Sequence, residues 1–179
     1  MNKRLYFGID PGKTGALAWI CLDTVSLDRL GYGVVDLPII KVSETSKNVE
    51  VDPLMLKKII LDVCNEYALT PQMCFMTLEH VWAMPPQGSN RSSGITSAAS
   101  LANSMTCVKT VTKLMEIPFT LVVPRVWKRF YQIPSDKEIA RETARLHFPR
   151  VRDLLKYKKN ADRAEALLIA EYGLLTEVE

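Results

Sequence analysis

The stretch YFGIDPGKTGALAWI, Tyr6 to Ile20, packs an apolar strand, a tight turn and a second apolar strand into a single short run. Gly8 followed by Gly12-Lys13-Thr14 invites comparison with a phosphate-cradling loop. Such a loop reads G-x-x-x-x-G-K-[ST], with four residues between its glycines. Here only Ile9, Asp10 and Pro11 intervene. A carboxylate stands where backbone N–H groups should surround an anion, and Pro11 has no N–H to offer. The turn is a poor phosphate cradle.

Working outward, Leu5 to Asp10 is apolar on both faces, as a strand inside a covered sheet must be. Gly15 to Leu22 returns as its hairpin partner, and Gly31 to Leu37 fits a third strand. Lys41 to Glu50 is a patternless polar loop. Asp52-Pro53 then opens a helix, with Leu56, Ile59, Ile60, Val63 and Tyr67 as its buried stripe. Met73 to Leu78 reads as a strand ending at Glu79, and Ala83 to Gly94 as loop. Ile95 to Met115 is a helix so rich in Ala, Ser and Thr that packing on both sides is expected. Phe119 to Val123 is a strand, and Pro124 starts a short helix through Phe130. Ser135-Asp136-Lys137-Glu138 fits a capping box for a helix reaching His147. The last helix runs from about Asn160 to Tyr172, where Gly173 can end it.

At 179 residues, 47% hydrophobic and 24% charged, the chain suits one domain with a full core, so residues 1–179 are read as one unit. No apolar run spans a bilayer, and Met1-Asn2-Lys3-Arg4 leads into a strand rather than a secretory leader, so a cytoplasmic location is expected. Cys21, Cys64, Cys74 and Cys107 are scattered, without a C-x-x-C pair or a histidine cluster. Structural zinc and a disulfide framework are disfavoured. The net charge of +3 hides an asymmetry: Lys109 to Arg163 holds fourteen Lys/Arg against six Asp/Glu, and the remainder nine against fourteen. A basic segment of this kind is a footprint for a polyanion, although solvated helix faces produce the same count.

Four carboxylates stand out by position. Asp10 ends the first strand, Glu79 ends a later one, and Asp162 and Glu165 are i and i+3 in NADRAEALLIA. An i, i+3 pair shares a helix face, with Cβ atoms about 5–6 Å apart. Each acid alone has an ordinary explanation as a turn residue or a first-turn helix acid. Gathered at one sheet edge they would repel and raise one another's pKa unless cations neutralised them. All-oxygen ligands suit Mg²⁺ or Mn²⁺. Two such ions about 3.5–4 Å apart can activate a water and stabilise the leaving oxygen of a phosphodiester. Neither histidine joins this set: His80 points to the opposite face if its strand continues, and His147 is a helix-end residue.

FGIDPGKTGALAW, TLEHVW and NADRAEALLIAEYG together resemble the RuvC-type Holliday junction resolvases of the RNase H-like superfamily, in the right order over nearly the whole chain. EHVWAMPPQG looks closest to the phage-encoded members, which would place the protein in a host-cell cytoplasm. The resemblance implies an α/β fold, an RNase H-like mixed five-stranded sheet flanked by helices with strands one to three antiparallel. It implies Asp10, Glu79, Asp162 and Glu165 as four metal ligands for two Mg²⁺ ions, with Mn²⁺ as substitute. Glu165 departs from the pattern, since Asp is commoner there. Trp82 falls where the family has an aromatic that wedges into the junction centre; a core-capping role fits Trp82 equally well. Lys137 and Lys128 fall near two lysines that act at the scissile phosphate, Lys137 by the better local match. Arg91, Arg125 and Arg129 are generic backbone-contact candidates. Arg150 to Lys159 forms a basic insert with no secure counterpart.

The function implied is metal-dependent cutting of four-way DNA junctions by paired symmetric nicks, placed by a homodimer without a nucleotide cofactor. A broader nuclease for flaps and Y-forks, and a non-catalytic junction-binding module, are the alternatives. Sugar-kinase and actin-like ATPases also read D-x-G-x-T, but they need two lobes, and this chain has length for one.

Overall fold

The structure, a computed structural model, describes residues 2–12, 14–42, 44, 49–81 and 91–177, the side chains of 91–97 excepted. Its centre is a five-stranded sheet built from β1 (Lys3–Asp10), β2 (Ala16–Asp23), β3 (Arg29–Asp36), β6 (Cys74–Glu79) and β7 (Phe119–Val122) in the order β3-β2-β1-β6-β7. The first three strands are antiparallel neighbours, whereas β6 joins β1 and β7 joins β6 in parallel. Two further short strands overlap the two ends of the stretch read as loop. β4 (Ile39–Lys41) and β5 (Val49–Val51) pair as a small antiparallel ribbon, too short to show a period in the sequence.

Helices cover both faces, and strand alternation assigns the residues to them. Leu5, Phe7 and Ile9 of β1 and Cys74, Met76 and Leu78 of β6 share one core with Leu56, Ile60 and Val63 of α1 (Pro53–Glu66) and Val108 and Val111 of α2 (Arg91–Leu114). The opposite parity, Tyr6, Gly8 and Asp10 on β1 with Phe75, Thr77 and Glu79 on β6, faces α5 (Ala161–Glu177). Beyond β7 lie α3 (Pro124–Phe130) and α4 (Lys137–His147).

Several boundaries depart from expectation for identifiable reasons. α5 runs straight through Gly173, because the missing side chain is needed for packing: a Cβ there would lie 1.9 Å from Thr77 Oγ1. Asp136, not Ser135, caps α4, its Oδ1 accepting from the Glu138 N–H at 2.8 Å. Glu138 is thereby released from the expected box and pairs with Arg141. α2 begins at Arg91, within the expected loop, and buries one stripe only: Ser104, Met105, Val108, Val111 and Thr112 are inside, while Ala102, Asn103, Thr106 and Thr110 are exposed. Its small residues therefore do not mark a second packing face among the described residues. The basic insert becomes two 3-10 turns, Pro149–Leu155 and Lys158–Asn160, the first anchored by Arg141 Nη1 donating to the Leu155 carbonyl at 2.6 Å.

The contact that sets the layer spacing lies between β1 and α5. A Cβ on Gly8 would stand 2.2 Å from Ala170 N and 2.4 Å from Ala166 O, so strand and helix touch backbone to backbone. Ala166, Ala170 and Gly173 continue the helical stripe that begins at Asp162. Backbone atoms cannot yield as a flexible side chain would. Gly8→Ala is expected to cost about 3 kcal/mol in urea unfolding, and a variant as stable as the parent would disprove this close approach.

Candidate metal centre

Two local devices bring the first acids to one edge. The turn after β1 is closed by Gly15 N–H donating to the Gly12 carbonyl at 2.9 Å, and Gly12 N–H donates to Asp10 Oδ1 at 3.2 Å. Gly15 is required, because a Cβ there would meet the Asp10 carbonyl at 2.1 Å. Parallel pairing of Gly8 with Thr77 and Ile9 with Leu78 then places Glu79, at the end of β6, level with Asp10. α5 begins at the same edge with Asp162 in its first turn and Glu165 one turn on.

One carboxylate oxygen each from Asp10, Asp162 and Glu165 lies within 4.8 Å of the other two. Glu79 is not one of that trio, but its charge, with those of Asp162 and Glu165, raises the Asp10 carboxyl. All four are buried. Two lysines reach in: Lys128 Nζ lies 2.6 Å from Glu165 Oε1, and Lys137 Nζ contacts Asp162 and, at 3.3 Å, Glu165 Oε2. The two positions carried by the resemblance thus converge on the acids from α3 and α4.

Other candidates fare differently. Arg125 and Arg129 line, with Lys128, Ile133 and Ser135, a cavity of about 370 Å³ beside the cluster. Trp82 and the side chain of Arg91 lie outside the described residues. His80 sits at the strand end, its N–H donating to the Val122 carbonyl at 2.8 Å. His147 does more than end a helix: its Nδ1 is 2.7 Å from Glu171 Oε2, which also accepts from Tyr131 Oη at 2.9 Å, while Arg29 holds the other oxygen. This buried carboxylate ties β3, the residue after α3 and the end of α4 to α5, and so fixes the elements that carry the two lysines.

Sequence reasoning missed two members of the site. Thr14 Oγ1 donates to Asp162 Oδ2, and Trp127 Nε1 donates to Glu79 Oε1 at 2.8 Å. No spacing rule joins residue 14 to residue 162 or residue 79 to residue 127, so neither pair leaves a local signal.

The electrostatics follow from crowding. Burial, followed by the charges of Glu79, Asp162 and Glu165, pushes the Asp10 carboxyl up to about 7, against the Gly12 N–H that favours its ionised form. Burial also raises Glu79; the Trp127 hydrogen bond opposes the rise and the Glu165 charge adds to it. For Lys137 burial works downward, but the hydrogen bond to Asp162 and the surrounding carboxylates outweigh it and hold the ammonium above the usual lysine range.

Four carboxylates against two ammonium groups leave an excess of negative charge that divalent cations would offset. An all-carboxylate set fits a hard ion. The residues present fit Mg²⁺ or Mn²⁺.

Because the folded pKa of Asp10 lies above its ordinary value of 3.8, the folded state holds the extra proton between these limits. Its contribution to stability is present at low pH and is lost as pH rises through about 7. Without divalent ions, the melting temperature should fall between about pH 4 and about pH 7, and Asp10→Asn should flatten that fall. A slope left unchanged by the substitution would remove Asp10 as its source.

No family model matches the chain, and no curated protein matches it. Among solved structures, Thermus thermophilus RuvC is 15% identical, with 97% of each chain covered and a TM-score of 0.51. A structure described as T. thermophilus RuvC in complex with Holliday junction substrate is 14% identical, covering 98% of this chain and 97% of that one at a TM-score of 0.45. An exopolyphosphatase from Cytophaga hutchinsonii covers 68% of this chain and 34% of its own at 15% identity and a TM-score of 0.37. The mixed five-stranded sheet flanked by helices matches the RNase H-like fold of the first of these RuvC structures.

Proposed function

We propose that this chain is a metal-dependent endonuclease that resolves four-way DNA junctions by paired symmetric nicks. The observation that carries the reading is the buried group of Asp10, Asp162 and Glu165, with Glu79 beside it, at one edge of an RNase H-like sheet. Such a set is costly to fold without a cation, and the three RuvC-like motifs carry all four acids.

In this reading residues 1–179 form one nuclease unit, and Asp10, Glu79, Asp162 and Glu165 hold two Mg²⁺ ions, for which Mn²⁺ substitutes. When bound, the ions supply activation of water and charge stabilisation at the leaving oxygen. Lys137, whose side chain is 57% exposed although its ammonium reaches the acids, turns to a non-bridging oxygen of the scissile phosphodiester. Lys128, Arg125 and Arg129 line the adjoining cavity and take the flanking backbone phosphate. Arg91 contributes a further phosphate contact, and Trp82 stacks at the junction centre. Two copies related by a two-fold axis match the symmetry of the junction, so a homodimer sets the paired nicks. Similarity of EHVWAMPPQG to phage-encoded members points to action in a host-cell cytoplasm. No helix among the described residues is long and apolar enough to cross a membrane.

The test is cleavage of a labelled four-way junction beside linear duplex and a Y-fork, with Mg²⁺ or EDTA, using wild type and Asp10→Asn. Symmetric nicks in the junction alone, abolished by EDTA and by the substitution, are expected. Equal cutting of every branched substrate would give a general branched-DNA nuclease. Binding without cutting would leave a junction-binding module.

A further inference from the structure

Trp127 is the largest wholly buried side chain among the described residues. Its one polar atom, Nε1, donates to Glu79 Oε1 at 2.8 Å, a bond buried at both ends. The next residue, Lys128, reaches Glu165 Oε1 at 2.6 Å and holds its ammonium 5.1 Å from the Trp127 ring centroid. Consecutive residues of one short helix thus grip acids from two different elements, β6 and α5.

Packing alone does not require an indole here. A phenylalanine fills an apolar pocket without bringing an N–H that must find an acceptor. The acceptor is an acid at the cluster, placed against the wall formed by α3. A carboxylate tied through one oxygen keeps its second oxygen for a cation and loses the freedom to swing away. Ligand orientation by such outer hydrogen bonds is a general means of raising metal affinity.

We propose that Trp127 is a positioning residue: its indole N–H sets the Glu79 carboxylate as a ligand for a divalent cation. The proposal rests on the metal-dependent reading above. It also assigns α3 a second task beyond phosphate contact, because the helix sets the separation of Glu79 from Glu165 through adjacent side chains. Asp10 is oriented by its own turn, Asp162 by Thr14 and Glu165 by Lys128, and of these bonds only that from Trp127 to Glu79 is buried at both ends.

The experiment is Mn²⁺ calorimetry on the full chain without DNA, for wild type, Asp10→Asn and Trp127→Phe, each with its melting temperature. Wild type should bind and Asp10→Asn should bind far more weakly, which tests the acid cluster itself. Trp127→Phe should weaken binding by about 10- to 100-fold while still melting cooperatively. Unchanged affinity in a folded Trp127→Phe chain would confine Trp127 to packing and overturn the proposal. Absence of Mn²⁺ binding by wild type would overturn the metal reading and the proposal together. Should the Phe variant fail to fold, the indole N–H resonance of Trp127 in the unsubstituted protein decides, assigned by Trp19→Phe and Trp82→Phe. It should shift during a Mg²⁺ titration and saturate with binding; a resonance that stays fixed through saturation rejects the proposal.

Discussion

The acid cluster depends on one steric allowance: α5 lies against β1 with no side chain between them at Gly8. Ala166 and Ala170 supply the helix side of that contact, and Gly173 supplies it again over Thr77 of β6. Because Asp162 heads the same helical stripe, the spacing of helix and sheet also sets the spacing of Asp162 from Asp10. A larger residue at any of these positions would lift the helix and open the cluster. Strand parity does the rest, since Gly8 and Asp10, like Thr77 and Glu79, point to the same face.

Such closeness carries an electrostatic cost. Burial and neighbouring charge hold Asp10 partly protonated near neutral pH, so the group is poised between a proton, a lysine and a cation as neutraliser. Lys128 and Lys137 offset part of the charge, and they arrive on helices fixed to α5 through the buried Glu171. The fold thus brings the lysines to the acids by a separate anchor. The basic surplus between Lys109 and Arg163 gains a location in the same way, since Arg125 and Arg129 of that segment line a cavity beside the cluster.

Much of this was legible in the sequence because it is encoded locally. The turn after β1 reveals itself through Asp-Pro-Gly, α1 through its Asp cap and apolar stripe, and the α5 acid pair through i, i+3 spacing. Boundaries misread were those where tertiary packing overrode a local signal. Gly173 resembles a helix stop but is a packing glycine, and the small residues of α2 suggest a second neighbour where exposed surface is found. The β4–β5 ribbon was invisible because three residues cannot display a period.

The sequence by itself determined the order of the main elements and singled out four acids by position, two at strand ends and two at i, i+3 on one helix, since each of these follows from residue type and local spacing. Only the tertiary structure decided which side chains hold those acids in place. The Trp127 bond to Glu79, the Thr14 bond to Asp162 and the anchoring of Tyr131 and His147 on Glu171 join residues far apart in the chain. Their partners are chosen by how strands and helices stack, and no periodicity along the chain records that choice.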